Sequence, residues 1–284
     1  MKSKLINILL TVIFLTGLSL LLYPTVSNYY NSYLQSKAIA LYADNVENLD
    51  QEKNKTILEE ARLYNAQLSA LPSQFQRPEE MKEAYWHQLM DFSGQVMAYV
   101  EIPSIGVTLP IMHGTSDEVL DKAIGHLEWT SLPVGGESTH SVISGHRGLP
   151  SSELFTNIDH LEVGDPFYIH VMGQTLEYWV DNIAVVLPEE MDLLTIVRGQ
   201  DYCTLLTCTP YGINSHRLLV RGIRMADREV QESEMLPITN EVTGIDMMVL
   251  IPVALVALSI VVFAFLVLQS GKKRKGGGKN DRNK

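Results

Sequence analysis

A thiol and a guanidinium stand nine positions apart in DYCTLLTCTPYGINSHRLLVRG, residues 201–222, at Cys208 and Arg217. Residues 202–208 are β-branched and apolar enough to form a strand. Pro210, Gly212 and Asn214 supply turn chemistry, and the extended pattern resumes at His216. The stretch therefore predicts a hairpin that brings Cys208 and Arg217 to one rim. A fixed positive charge beside a thiol favours the thiolate, the nucleophilic form, and supports negative charge on a carbonyl oxygen under attack. An arginine fork suits that support better than proton transfer. Arg221, on the same strand face, is left as a rival to Arg217.

Such chemistry needs a base. His146, in SVISGHRG at 141–148, is the leading candidate among eight histidines, with His113, His126 and His140 as competitors. His216 points away from Arg217 on an extended strand, and His87, His160 and His170 are expected to face solvent. Cys203 and Cys208 fall on opposite faces of one strand, about 16 Å apart, which excludes a bridge between them. Cys203 reads as a small core residue. A lone strand cysteine is ordinarily inert, so a non-catalytic peptide-binding module stands beside the enzymatic reading. No CxxC or HxxxH pair supports a metal, no glycine-rich phosphate loop is present, and no cofactor is expected.

The elements that position these residues follow from charge and hydropathy. The net charge is −11, yet Lys2 and Lys4 at one end, and seven basic residues against Asp281 in the last fourteen, leave about −19 for the middle. That balance argues against nucleic acid as a partner. Residues 1–24 read as a retained membrane anchor, apolar over 8–22, and 247–268 is a 22-residue uncharged span followed by the basic tail 269–284. Basic outer flanks place both termini in the cytoplasm and the acidic middle outside the cell membrane.

Residues 25–93 read as a helical region, with helices near 28–42 and 50–68, a loop at 71–77, and a short helix from Pro78. From Gly94 to 226 the pattern changes to short strands separated by Gly and Pro turns, with short helices near 116–124 and 188–197 and a helical turn within 151–159. Without alternating long helices, this is an all-β architecture, a closed or partly closed barrel. Residues 227–246 form an acidic tether to the second span.

TLLTCTP at 204–210, with His216-Arg217, resembles the TLxTC signature and following arginine of sortases. The block at 101–155, EIPSIGVTLPIMHGTSDEVLDKAIGHLEWTSLPVGGESTHSVISGHRGLPSSELF, and the run TCTPYGINSHRLLVRG resemble class C sortases, the pilin polymerases of Gram-positive bacteria. The likeness is dense over 94–223. It implies an eight-stranded sortase barrel, with Cys208 as nucleophile, His146 as general acid/base, and Arg217 supporting substrate and oxyanion. It also implies cleavage of an LPxTG-like sorting signal between Thr and Gly. The acyl group would then pass to a lysine amine of another pilin subunit, or to a cell-wall peptide amine in a sortase that anchors surface proteins. An apolar substrate groove is expected to use Ile143, Leu205, Leu206 and Thr207. Class C members carry an Asp-Pro-aromatic lid that this chain lacks; Pro72-Ser73-Gln74-Phe75 is the candidate substitute, with Phe75 as plug, and Asp91-Phe92-Ser93 a second option.

Overall fold

The computed structural model describes residues 2–90 and 96–225, with Ala257 and Ile260 alone beyond them. The expected tether, second span and basic tail therefore lie outside the described residues, those two positions apart, as do Asp91, Phe92 and Ser93. The chain divides into one unit of residues 1–29 and 242–284 and another of residues 30–241.

The helix α1 (Lys2–Glu47) begins in the first unit and ends in the second. It is continuous where an anchor and a separate helix were expected, because Pro24 sits inside it without ending it. A proline inside a helix removes one i→i−4 bond, and α1 keeps its helical path through that gap. From Leu9 on, α1 carries the one stretch among the described residues long and apolar enough to cross a membrane, with a mean hydropathy of 2.0. Leu9, Leu10, Ile13, Leu20 and Leu21 are exposed along it.

In the second unit, α2 (Gln51–Ser69) starts where the Asp50 side chain accepts from Glu52 N at 3.3 Å, satisfying one orphan donor of the first turn. The short α3 (Glu79–Tyr85) follows. Eight strands then close a barrel: β1 (Val96–Ile102), β2 (Val107–His113), β3 (Ile124–His126), β4 (Thr139–Ser144), β5 (Pro166–Val171), β6 (Gln174–Val186), β7 (Asp201–Thr209) and β8 (His216–Arg224). Around the barrel the order is β1-β2-β3-β4-β7-β8-β6-β5. The pairs β2–β3 and β4–β7 are parallel and the rest antiparallel. Helix α4 (Asp117–Leu120) ends before β3, which takes Ile124 that the sequence pattern assigned to a helix. The helical turn expected within 151–159 is a 3₁₀ turn at Ile158–His160, and the short helix expected near 188–197 reduces to a 3₁₀ turn at Asp192–Leu194.

One core runs from the helices into the barrel. Ile39, Tyr42 and Val46 of α1, and Leu58, Ala61, Tyr64 and Leu68 of α2, join Val100, Ile143, Phe167, Leu205 and Val220. Burying each large apolar side chain contributes about 1.5–3 kcal/mol, so this contact fixes the helices against the sheet. Polar clamps set their register. Tyr42 Oη donates to Met97 O at 3.1 Å and accepts from Met172 N at 2.9 Å. Buried Asn65 donates to Leu132 O at 3.0 Å and accepts from Leu132 N at 2.7 Å, pinning α2 to the approach of β4.

Candidate active site

The β7–β8 hairpin forms as the turn residues predict. Its antiparallel register pairs Cys208 directly with Arg217, Leu206 with Leu219, and Leu205 with Val220. Cys203, Leu205 and Thr207 are fully buried, facing the barrel interior. Strand alternation therefore turns Leu206 and Cys208 outward, and their partners Leu219 and Arg217 turn the same way. Cys208 is half-buried. The turn begins with a cis Thr209–Pro210 peptide, and Gly212 and Asn214 hold positive φ values of 75° and 59°. Arg217 Nη1 donates to Asn214 O at 3.2 Å and His216 O at 3.1 Å, so the guanidinium folds back on the turn.

His146 enters from β4, which runs parallel to β7 with Ser144 opposite Leu206. The two chains stay joined past the end of β4. Gly145 N donates to Leu206 O at 3.0 Å, and Thr207 Oγ1 donates to Gly145 O at 2.7 Å. His146 thus lies two residues beyond Ser144, as Cys208 lies two beyond Leu206. Parity gives His146 the outward face, and its side chain is half-buried. Thiol, imidazole and guanidinium converge on one rim, at the C-terminal ends of β4 and β7 and the start of β8.

The competing histidines are occupied elsewhere. His140 Nδ1–H donates to Thr195 O at 2.9 Å and Nε2 meets Thr204 Oγ1 at 2.7 Å; burial pushes it down to about 4. His126 is wholly buried between Tyr85 and Ser131, and burial takes it to about 3. Both stay neutral at physiological pH with both ring nitrogens engaged. His113 Nε2 bonds Gln88 O at 2.7 Å. His170 departs from its expected solvent-facing position: it is buried, 3.1 Å from Glu101 Oε2, and stacked on Tyr99. Arg221 makes a two-pronged pair with Asp181, at 3.0 and 2.7 Å, and lies 4.2 Å over the Tyr202 ring. It sits four residues past Arg217, about 13 Å along the strand.

The expected groove residues separate cleanly. Leu206 lies on the outward face, against Val142, Leu194 and Leu219, with Leu127, Trp129 and Val186 alongside. Ile143, Leu205 and Thr207 are fully buried and, by the register, have the opposite parity to Cys208. The outward apolar cluster went unread although the same alternation marks Val142 and Leu219 once Cys208 is set outward. Phe75 is 44% exposed, its ring 5.0 Å from that of Trp129 at the edge of this cluster. Gln74 beside it is buried, donating to Leu194 O at 3.1 Å and accepting from Ile196 N at 2.8 Å.

Residues 100–225 match the sortase domain family. Sortase C1 from Streptococcus agalactiae is 46% identical, superposes with a TM-score of 0.65, and is matched over 100% of its own length and 68% of this chain. The chain belongs to the sortase family. Sortase C of Streptococcus pneumoniae is 44% identical, with a TM-score of 0.60 over 66% of this sortase and 96% of that chain. Sortase C of Clostridium perfringens, solved with the C-terminal cell wall sorting motif, is 45% identical with a TM-score of 0.59, over 66% of this chain and 98% of that one. These neighbours place this sortase in class C. It is a cysteine transpeptidase, and its strand register brings Cys208, His146 and Arg217 to the same end of the barrel.

Proposed function

We propose that Cys208 is the nucleophile, His146 the general acid/base and Arg217 the oxyanion and substrate support of a pilin-polymerising sortase. The observation that carries the assignment is the direct Cys208–Arg217 pair in the β7–β8 register, with His146 leaving β4 beside it. The Cys208 thiolate attacks the Thr carbonyl carbon of an LPxTG-like signal. Arg217 supports the charge on the oxygen as the tetrahedral species forms. That species breaks the Thr–Gly bond, His146 gives its proton to the departing amine, and a thioester remains. A lysine amine of another pilin subunit then attacks the thioester and yields its proton to His146. The C–S bond breaks, releasing the thiolate and leaving an isopeptide bond. The outward apolar cluster around Leu206 and Trp129 would bed the apolar part of the signal. The sorting motif bound to the Clostridium perfringens relative supports a signal of that class for this chain. Retention of α1 in the membrane, a second span at 247–268 and an extracellular barrel complete the reading.

The test uses the full chain in detergent with a pilin bearing an LPxTG tail. A thioester on Cys208 by intact mass, followed by covalent pilin ladders, is the expected result. Free carboxylate as the sole product in excess amine would identify a hydrolase instead. Transfer to wall peptide alone would identify an anchoring sortase.

The strap at 72–77 acts in this proposal as a lid over the groove. Gln74 anchors it to the β6–β7 connection, and Phe75 covers Trp129. The strap residues Ser73 and Phe75 line a cavity of about 600 Å³ together with Leu68, Leu71, Thr195 and Ile196. An aromatic pair contributes about 0.5–1.5 kcal/mol, so Phe75→Ala should speed alkylation of Cys208 about three- to tenfold. An unchanged rate would remove the lid from the account.

A further inference from the structure

Arg147 has no part in the chemistry above, yet it is the most closely held cation at this rim. Its side chain is only 11% exposed. Nη2 pairs with Asp159 Oδ2, and Nη1 donates to Thr209 Oγ1 at 3.3 Å, on the residue that follows Cys208. The guanidinium carbon lies 5.9 Å from the Tyr211 ring centroid. The neighbouring Gly148, at φ +76°, admits that ring so closely that a Cβ would stand 2.9 Å from it. Its amide donates to Thr156 Oγ1 at 3.2 Å.

These contacts continue the β4–β7 pairing past its last formal rung. Gly145 is tied to Leu206 and Thr207 on one side of His146, while Arg147 and Gly148 meet Thr209 and Tyr211 on the other. His146 and Cys208 are the two residues so bracketed. An inert ion pair is the plain alternative, but it accounts poorly for the site. Burying a guanidinium costs several kcal/mol unless all its donors are met, and Arg147 Nε is buried without a partner among the described residues. A surface pair with Asp159 would not require that burial.

We propose that Arg147 is a positioning residue for acyl transfer, clamping Thr209 and the Tyr211 turn to the β4 exit so that His146 is held opposite Cys208. The inference rests on the roles given above to Cys208 and His146. A displacement of about 1 Å between reacting groups lowers rate by about a hundredfold, and that is the scale of effect expected.

The experiment measures thioester formation on Cys208 by full-length enzyme in detergent, with an LPxTG peptide at varied concentration. Arg147→Met, which keeps the stem and removes the donors, should lower kcat about 30- to 100-fold with KM within about threefold. Arg147→Lys should recover part of the loss. Thr209→Val should lower kcat in the same manner, and Thr209→Ser should restore most of what Val removes. The Arg147→Met/Thr209→Val double variant should be no slower than Arg147→Met by more than about twofold, because one contact is removed twice. A kcat for Arg147→Met within about threefold of wild type overturns the proposal, as does a loss confined to KM. If Arg147→Met loses its cooperative melt, the Thr209 variants decide: a wild-type kcat in Thr209→Val overturns the clamp. Wild-type enzyme that forms no thioester would instead bring down the functional reading, and the clamp with it.

Discussion

Cys208→Ala should abolish both the thioester and the pilin ladders, with residual transfer below about 1 part in 10⁴ of wild type, the scale seen when a covalent nucleophile is removed. No second sulfur can take over. Cys203 is fully buried in the barrel, and burial pushes its thiol well above the ordinary range. Native wild-type protein should therefore take up one equivalent of a thiol reagent, and Cys208→Ala none. The substitution removes a half-buried atom from the outward end of β7, so melting should stay close to that of wild type. That control separates lost chemistry from lost structure. Cys208→Ser keeps a hydroxyl in place of the thiol, but neutral serine is a weak nucleophile and should trap only traces of acyl-enzyme. Ladders surviving in the alanine variant, with its melt intact, would reject the assigned nucleophile outright.

The hairpin was legible because its local chemistry and its tertiary role agree. Pro210, Gly212 and Asn214 demand a turn, and the β-branched and apolar runs on either side have nothing to do but pair. Its register then followed: Cys208 opposite Arg217 is what a short turn between those strands gives. The groove was harder to read. Leu205 and Ile143 are as apolar as Leu206 and Val142, and only parity separates a barrel-filling side chain from one that lines an outward face. Composition cannot supply parity, but one fixed residue can, and an outward Cys208 would have sent Leu205 and Thr207 inside. The three-residue β3 gave no periodicity to detect; its strand state comes from pairing Ile124 with Ile111 and His126 with Ile143. His170 differs from its sequence pattern for the opposite reason. It alternates with apolar residues as a solvent-facing residue would, but its face is covered, and Glu101 and Thr175 satisfy the ring in place of water. Arg147 carries no mark in the sequence, because its burial comes from Asp159, Thr209 and Tyr211, which only the fold brings to it.

The second large effect separates two arginines that the sequence left unranked. Arg217→Ala should lower kcat for thioester formation about 10²- to 10³-fold, the range for removing a donor aimed at a developing oxyanion. KM should rise only modestly. Arg217→Lys should recover little, because one ammonium cannot both bond the turn carbonyls of Asn214 and His216 and present a planar fork to the substrate. Arg221→Ala should act on stability instead. It breaks a partly exposed, two-pronged pair with Asp181 and the contact over Tyr202, together about 1 kcal/mol after solvent screening, and should leave kcat within about threefold. The contrast follows from placement. Both arginines face outward on β8, but Arg217 is paired with Cys208 in the strand register, while Arg221 is four residues away and already neutralised. Paired single-turnover and urea-unfolding measurements on the two variants read the two effects independently. A catalytic loss in Arg221→Ala with Arg217→Ala near wild type would overturn the assignment of oxyanion support to Arg217, which rests on Arg221 being neutralised and about 13 Å farther along the strand.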